Sequence, residues 1–108
     1  MFNLPDTKTL YNRLKASAKK RKIPFDLKLT DLHTLGYYIN CPVLGIPLDY
    51  SGKQLNDNSP TVDRIDSSKG YTANNIIIVS WRCNRSKNDL SPEEIKKIAE
   101  FYENLMAN

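Results

Sequence analysis

Apolar residues recur at helical spacing near the start of the chain. Leu10, Tyr11, Leu14 and Ala18 share one face of a helix that Asp6 or Thr7 can cap and that runs over residues 6–22. Arg13, Lys15, Lys19, Lys20 and Lys22 lie mostly off that face. Pro24 stops the helix, and residues 25–29 alternate as a short strand or extended segment. Thr30 reads as the cap of a brief helix through Leu35, closed by Gly36. Residues 40–59 are rich in Pro, Gly, Asn and Asp and read as loops, with a small hairpin-like element formed by Pro42-Val43-Leu44 and Ile46-Pro47-Leu48.

The second half has a tighter rhythm. A strand is predicted at 61–65, a turn at 66–70, a strand at 75–79 and a short helix starting near Ser80. Ser91-Pro92-Glu93-Glu94 is a strong helix start, with a cap, a proline at the first helical position and a carboxylate three residues after the cap. Ile95, Ile98, Ala99, Tyr102, Leu105 and Met106 then trace an amphipathic stripe, expected to pack on the core. The pattern predicts a small single α+β domain spanning residues 1–108. Its core at 61–90 lies between a basic N-terminal helix, 6–22, and a C-terminal helix, 91–106.

Composition agrees with this and adds little. At 108 residues, 40% hydrophobic and 26% charged, the chain has material for one modest core and is not globally disordered. Its longest apolar run, Ile76-Ile77-Ile78-Val79, is far too short to cross a bilayer, so no membrane partner is expected. The N-terminus lacks a secretory pattern and there are two cysteines, so a reducing cytoplasm is the expected compartment.

Charge does change the picture. The net charge is +4, and residues 1–30 alone carry +6. Such a basic helix suits a polyanion, whose phosphates shed counterions on binding, although a solvated helix face would look the same. The cluster Lys19-Lys20-Arg21-Lys22 could touch phosphate or simply complement the helix C-terminal dipole.

The candidate chemistry lies between Pro60 and Asn88. Strand, loop, strand and helix bring together Asp63, Asn75 and Asn84. A carboxylate and an amide carbonyl are hard oxygen donors suited to a divalent ion such as Mg²⁺ that keeps several waters. An ion held by two protein groups retains open positions for a phosphate.

These residues resemble HNH (His-Me finger, ββα-metal) endonucleases, most closely small phage-type members reading D-R/H-I-D, K-G-Y-T, an Asn, then C-N-R-x-K. The corresponding residues here are Asp63-Arg64-Ile65-Asp66, Lys69-Gly70-Tyr71-Thr72, Asn75 and Cys83-Asn84-Arg85-Ser86-Lys87. The resemblance covers about a third of the chain at motif level and implies a ββα-metal fold. It implies that Asp63 and Asn84 hold one Mg²⁺ or Mn²⁺ ion and that Asn75 braces the loop. Asn74 falls where the family often has Gly, a place where Asn tolerates left-handed angles. Arg64 and Lys87 would meet the scissile phosphate, with Arg85, Lys15, Lys19 and Lys22 contacting the nucleic-acid backbone. The catalytic set is thus Asp63, Arg64, Asn75 and Asn84.

The chain departs from the family at two points. Arg64 stands where a histidine activates water, and a guanidinium that stays protonated is a poor general base. Asp66, Tyr71 or a metal-bound water would then supply the nucleophile, Asp66 having turn capping as its plainer role. His33, the one histidine, is far upstream and is expected to be structural. Secondly, relatives brace this fold with two Cys-x-x-Cys pairs, whereas this chain has Cys41-Pro42-Val43-Leu44 and Ser80-Trp81-Arg82-Cys83. Two thiols cannot fill a tetrahedral site, so structural zinc is not expected. Cys41 and Cys83 are expected as neighbours, with Leu44 and Trp81 packing in the metal's place.

The function implied is a metal-dependent DNA endonuclease or nickase, phage-encoded and acting in the bacterial cytoplasm. The alternative is an HNH-like module that binds DNA or a host protein without cleavage. A domain this small touches little duplex, so site-specific double-strand cutting would require a homodimer or a protein partner.

Overall fold

A computed structural model describes residues 7–35, 38–51 and 54–107. The chain is a small α+β domain with elements in the order α1 (Thr7–Lys20), β1 (Phe25–Asp26), α2 (Leu29–His33), β2 (Pro60–Arg64), β3 (Tyr71–Thr72), β4 (Ile76–Ser80), α3 (Trp81–Lys87) and α4 (Pro92–Met106). The proposed Asp6 cap, Gly36 and Tyr37 lie outside the described residues.

β2 and β4 pair antiparallel with Pro60 opposite Ser80 and Arg64 opposite Ile76. Their predicted bounds were displaced by one residue. β1 and β3 form a second, parallel pair, Phe25 with Tyr71 and Asp26 with Thr72. At two residues β3 is too short to carry a periodicity, which is why the sequence gives no sign of it. The close fit is set by Gly70, since a Cβ there would lie 2.4 Å from the Pro24 carbonyl oxygen.

α1 packs as its pattern requires, with Ala18 fully buried and Leu10, Tyr11 and Leu14 against the core. It ends two residues earlier than predicted. Lys22 takes φ 58, and the Ile23 and Lys22 N–H groups donate back to the Ala18 and Lys19 carbonyls at 2.8 and 3.2 Å. This is the Schellman closure, with lysine in place of the usual glycine. α2 starts earlier than Thr30 because the Asp31 carboxylate accepts from the Lys28 N–H at 2.7 Å, making Lys28 the cap. The hairpin-like element is a tight turn in which Gly45, at φ 76, donates to the Cys41 carbonyl at 2.8 Å.

The core gathers Leu27, Leu32, Cys41, Leu48, Val62, Tyr71, Ile76, Ile78 and Val79 around Ala18. An aromatic series crosses it, Tyr11 to Phe25 at 5.5 Å and Phe25 to Tyr71 at 6.0 Å between ring centroids. That series ties the basic helix to β1 and β3.

Three packing expectations fail. Among the described non-glycine residues only Lys22 and Asn88 have positive φ, so Asn74 is not left-handed. Its Oδ1 accepts from Thr72 Oγ1 at 2.8 Å and the turn closes without an αL residue. Leu44 is exposed and Trp81 is only half-buried, so neither replaces a zinc brace. Cys41 is held by Ser80, which donates through its N–H and hydroxyl to Cys41 Sγ at 3.4 and 3.3 Å.

The third failure concerns α4. Its start is as predicted, with Ser91 Oγ accepting from the Glu94 N–H at 3.1 Å and Glu94 accepting from the Ser91 N–H at 3.0 Å. Yet no residue of α4 is buried. Each strand of the β2–β4 pair is only about 17 Å long, and α3 already lies against it. A fifteen-residue helix, about 22 Å long, overhangs what remains.

Candidate active site

α3 leaves β4 at Ser80 and turns back over β2. Ser80 caps it by accepting from the Cys83 N–H at 3.2 Å. Asn84 and Lys87 sit one turn apart on one face of α3, so they meet successive positions of β2. Asn84 Nδ2 donates to Thr61 Oγ1 at 3.0 Å and to the Val62 carbonyl at 3.3 Å. Lys87 Nζ donates to Asp63 Oδ2 at 2.8 Å, to the Arg64 carbonyl at 2.5 Å and to the Ile65 carbonyl at 3.4 Å. The strand thus fixes Asp63 while the helix fixes Asn84, and both line a cleft of about 420 Å³.

The loop after β2 holds Arg64. Asn75 is buried and uses both amide donors and its carbonyl oxygen within the loop. Its Nδ2 donates to the Asp66 and Gly70 carbonyls at 3.1 and 2.8 Å, and its Oδ1 accepts from the Asp66 N–H at 2.9 Å. The loop so braced turns two carbonyls toward Arg64, whose Nη1 donates to Ser67 O at 2.8 Å and Lys69 O at 2.9 Å. The guanidinium lies over the Tyr71 ring, 5.5 Å from its centroid. Arg64 is therefore pinned on one side and presented to the cleft, which it lines.

Asp66 acts as the turn's cap. Its Oδ1 accepts from Ser68 Oγ at 2.6 Å and the Ser68 N–H at 2.9 Å, and these donors hold its carboxyl below the usual range. Of the candidate proton acceptors Asp66, Tyr71 and His33, Tyr71 alone lines the cleft. His33 is exposed at the end of α2.

The cations divide into two groups. Arg64 and Arg85 line the cleft, as does Arg21, just past the end of α1. Arg21 belongs to the basic cluster read from the sequence, but only the turn after Lys20 brings it here. Lys15, Lys19 and Lys22 are exposed and do not line the cleft. Arg85 is also paired with Asp57, which Arg82 approaches at 3.5 Å. The hydrogen bond from Arg85 is the main reason the Asp57 carboxyl titrates below its ordinary value. No periodicity or motif marks Asp57 in the sequence. Lys87, expected near the scissile phosphate, pairs with Asp63, with side chains only 15% and 11% exposed.

Among the described residues Asp63 is bonded through Oδ2 and Asn84 through Nδ2, which leaves Asp63 Oδ1 and Asn84 Oδ1 to accept from elsewhere. They fit a hard divalent ion that takes most of its ligands from water and phosphate. Among the described residues no group of three or more His, Cys, Asp or Glu gathers as a denser metal site. Cys41 and Cys83 are neighbours, as expected. Burial pushes the Cys41 thiol up, but hydrogen bonds from Leu44, Ser80 and Val43 outweigh it and bring its pKa to about 7. Burial, then the charge on Cys41, raises that of Cys83.

The chain matches no protein-family model and no curated protein. Among solved structures it is similar to the rare-cutting HNH restriction endonuclease PacI, described for its perturbation of DNA. The TM-score is 0.62 at 20% identity, covering 80% of this chain and 68% of that one. The fold is thus that of an HNH endonuclease. Among the described residues, no helix is long and apolar enough to cross a membrane.

Proposed function

We propose that the chain is a metal-dependent DNA endonuclease or nickase acting through the cleft at Asp63, Arg64 and Asn84. The observation that carries this reading is the convergence in one cleft of a strand-borne carboxylate, a helix-borne amide and three arginines. Asp63 and Asn84 would hold one Mg²⁺ or Mn²⁺ ion. Such an ion, when bound, supplies a Lewis acid for the phosphate and charge for the leaving 3′-oxygen.

The side chains have separable tasks. Arg64, held by Ser67 O and Lys69 O, offers its remaining donors to a phosphate and opposes charge that grows in the transition state. Being always protonated, it takes no proton from water. Arg21 and Arg85, which also line the cleft, would contact the backbone. Asn75 acts at one remove, by fixing the loop that fixes Arg64. The phage origin and bacterial cytoplasm belong to the same proposal and rest on the motif resemblance.

A second reading has its own support. The Lys87 ammonium already neutralises Asp63, and no histidine lines the cleft. A module that binds DNA, or a host protein, without cutting would have these features.

Incubating supercoiled plasmid with Mg²⁺ or Mn²⁺ separates the two. The nuclease reading expects nicking that a chelator abolishes and that Asp63→Ala lowers at least about 100-fold, with DNA binding retained. Tight DNA binding without nicking under either metal would establish the module, and absence of both would overturn the nucleic-acid reading.

A further inference from the structure

We infer that α4 pairs with the α4 of a second copy of this chain, antiparallel about a two-fold axis, so that the distal half of each helix covers the apolar groove at the foot of the other. The starting observation is an uncovered face. Ile98, Phe101, Tyr102, Leu105 and Met106 are 48%, 59%, 58%, 55% and 85% exposed. A fifteen-residue helix has no reason to keep five large apolar side chains on one side in water unless something covers them.

The chemistry of the other face narrows what can cover it. α4 carries Glu93, Glu94, Glu100 and Glu103 against Lys96 and Lys97. Lys96 pairs with Glu100 and Lys97 with Glu93, both at 3.9 Å on the outer side. A net acidic helix repels phosphates, which disfavours DNA and anionic lipid. The partner is a protein.

Three features point to a second copy. The spacing Ile95, Ile98, Tyr102, Leu105 alternates three and four residues, the seam by which one helix receives another. Ala99, Phe101 and Met106 flank that seam and widen it. Beside its base lies a groove of about 710 Å³, mostly apolar through Val43, Leu44, Ile65 and Leu90 with Ile95 and Ile98, with the Asp63–Lys87 pair also in its lining. In an antiparallel pair Ile98 faces the partner's Tyr102 and Ile95 faces the partner's Leu105, which carries the distal end of each helix onto the partner's groove. A parallel pair would leave both grooves open. Each chain thus presents both halves of the contact, as a two-fold interface requires. The uncovered apolar side chains of α4 with Val43, Leu44 and Ile65 amount to roughly 900 Å², about what one partner contributes to a standard interface.

The pairing rests on this surface and not on the nuclease reading. If that reading also holds, the dimer presents two clefts to the two strands of a duplex.

Sedimentation equilibrium on the full chain from about 1 to 100 µM tests the pairing. The expected mass is twice 12.4 kDa, and the double variant Ile98→Glu, Leu105→Glu should return to 12.4 kDa with an unchanged circular dichroism spectrum. Mixed oxidative cross-linking fixes the orientation without those glutamates. Ile95→Cys mixed with Leu105→Cys should give a covalent dimer, and neither variant alone should exceed the wild-type chain. A monomer at 100 µM, a dimer that survives both glutamates, or cross-linking of Ile95→Cys with itself would each overturn the inference. A plasmid assay on the double variant reports separately on the cleft.

Discussion

α3 and α4 are helices of the same chain built on opposite terms. α3 has seven residues, and its polar side chains find partners within the fold: Asn84 on Thr61 and Val62, Lys87 on Asp63, Arg85 on Asp57. Its cap, Ser80, is fully buried and bonded to Cys41. α4 is twice as long and strongly amphipathic, yet every one of its residues is exposed, whereas α3 keeps Trp81, Cys83, Asn84 and Lys87 half-buried. An amphipathic pattern therefore shows that a helix face will be covered, not that its own chain covers it. Specific polar contacts, by contrast, hold a short helix of weak pattern firmly in place.

The largest expected contrast is in packing. Ile78→Ala, at a position 1% exposed, should cost about 3 to 4 kcal/mol of stability. Leu105→Ala in an Ile98→Glu background, where α4 cannot associate, should cost less than about 0.5 kcal/mol. Urea unfolding of both variants checks this, and comparable losses would mean that α4 packs on its own chain.

A smaller effect is expected at the loop. Asn75→Ala takes the partner from the Gly70 carbonyl and the Asp66 N–H and leaves the Asp66 carbonyl with only the Lys69 N–H, at a cost of about 2 kcal/mol. Nicking should fall with it, because Arg64 loses its support. A variant that is as stable as wild type in thermal unfolding would show that the loop does not depend on Asn75.

The smallest effect concerns the anchor of α3. Folded Cys41 ionises at about 7 against an ordinary 9.0, so between those values the unfolded chain holds the proton that the folded chain has released. Stability should therefore rise from pH 7 to pH 9, by at most about 2 kcal/mol, and this gain is absent below pH 7. Cys41→Ala should flatten that slope in denaturant titrations at several pH values. No comparable slope is expected from α4, which has no cysteine.

Much of this arrangement could be read from the sequence. The ββα segment, a helix start near Ser80 and the cap at Ser91 follow from spacing, because each depends on residues close together in the chain, and the bracing place of Asn75 follows from the motif resemblance. What the sequence hid depends on distant pairs. Lys87 on Asp63 is a contact across 24 residues, and Arg85 on Asp57 across 28. Both look like free charges in a linear reading. β3 was hidden because two residues have no period, and Trp81 was expected in the core because its apolar neighbours in β4 suggested it. The failure at α4 is of another kind, since the pattern was right and only the covering surface was misplaced.

The central claim is that Arg64 supplies positive charge to a phosphate where a histidine would take a proton. Single-turnover plasmid nicking by Arg64→Ala and Arg64→Lys, with DNA binding measured alongside, tests it most directly. Alanine should lose about 100-fold, lysine should recover part of that loss, and both should retain binding. Nicking by Arg64→Ala at the wild-type rate would contradict it.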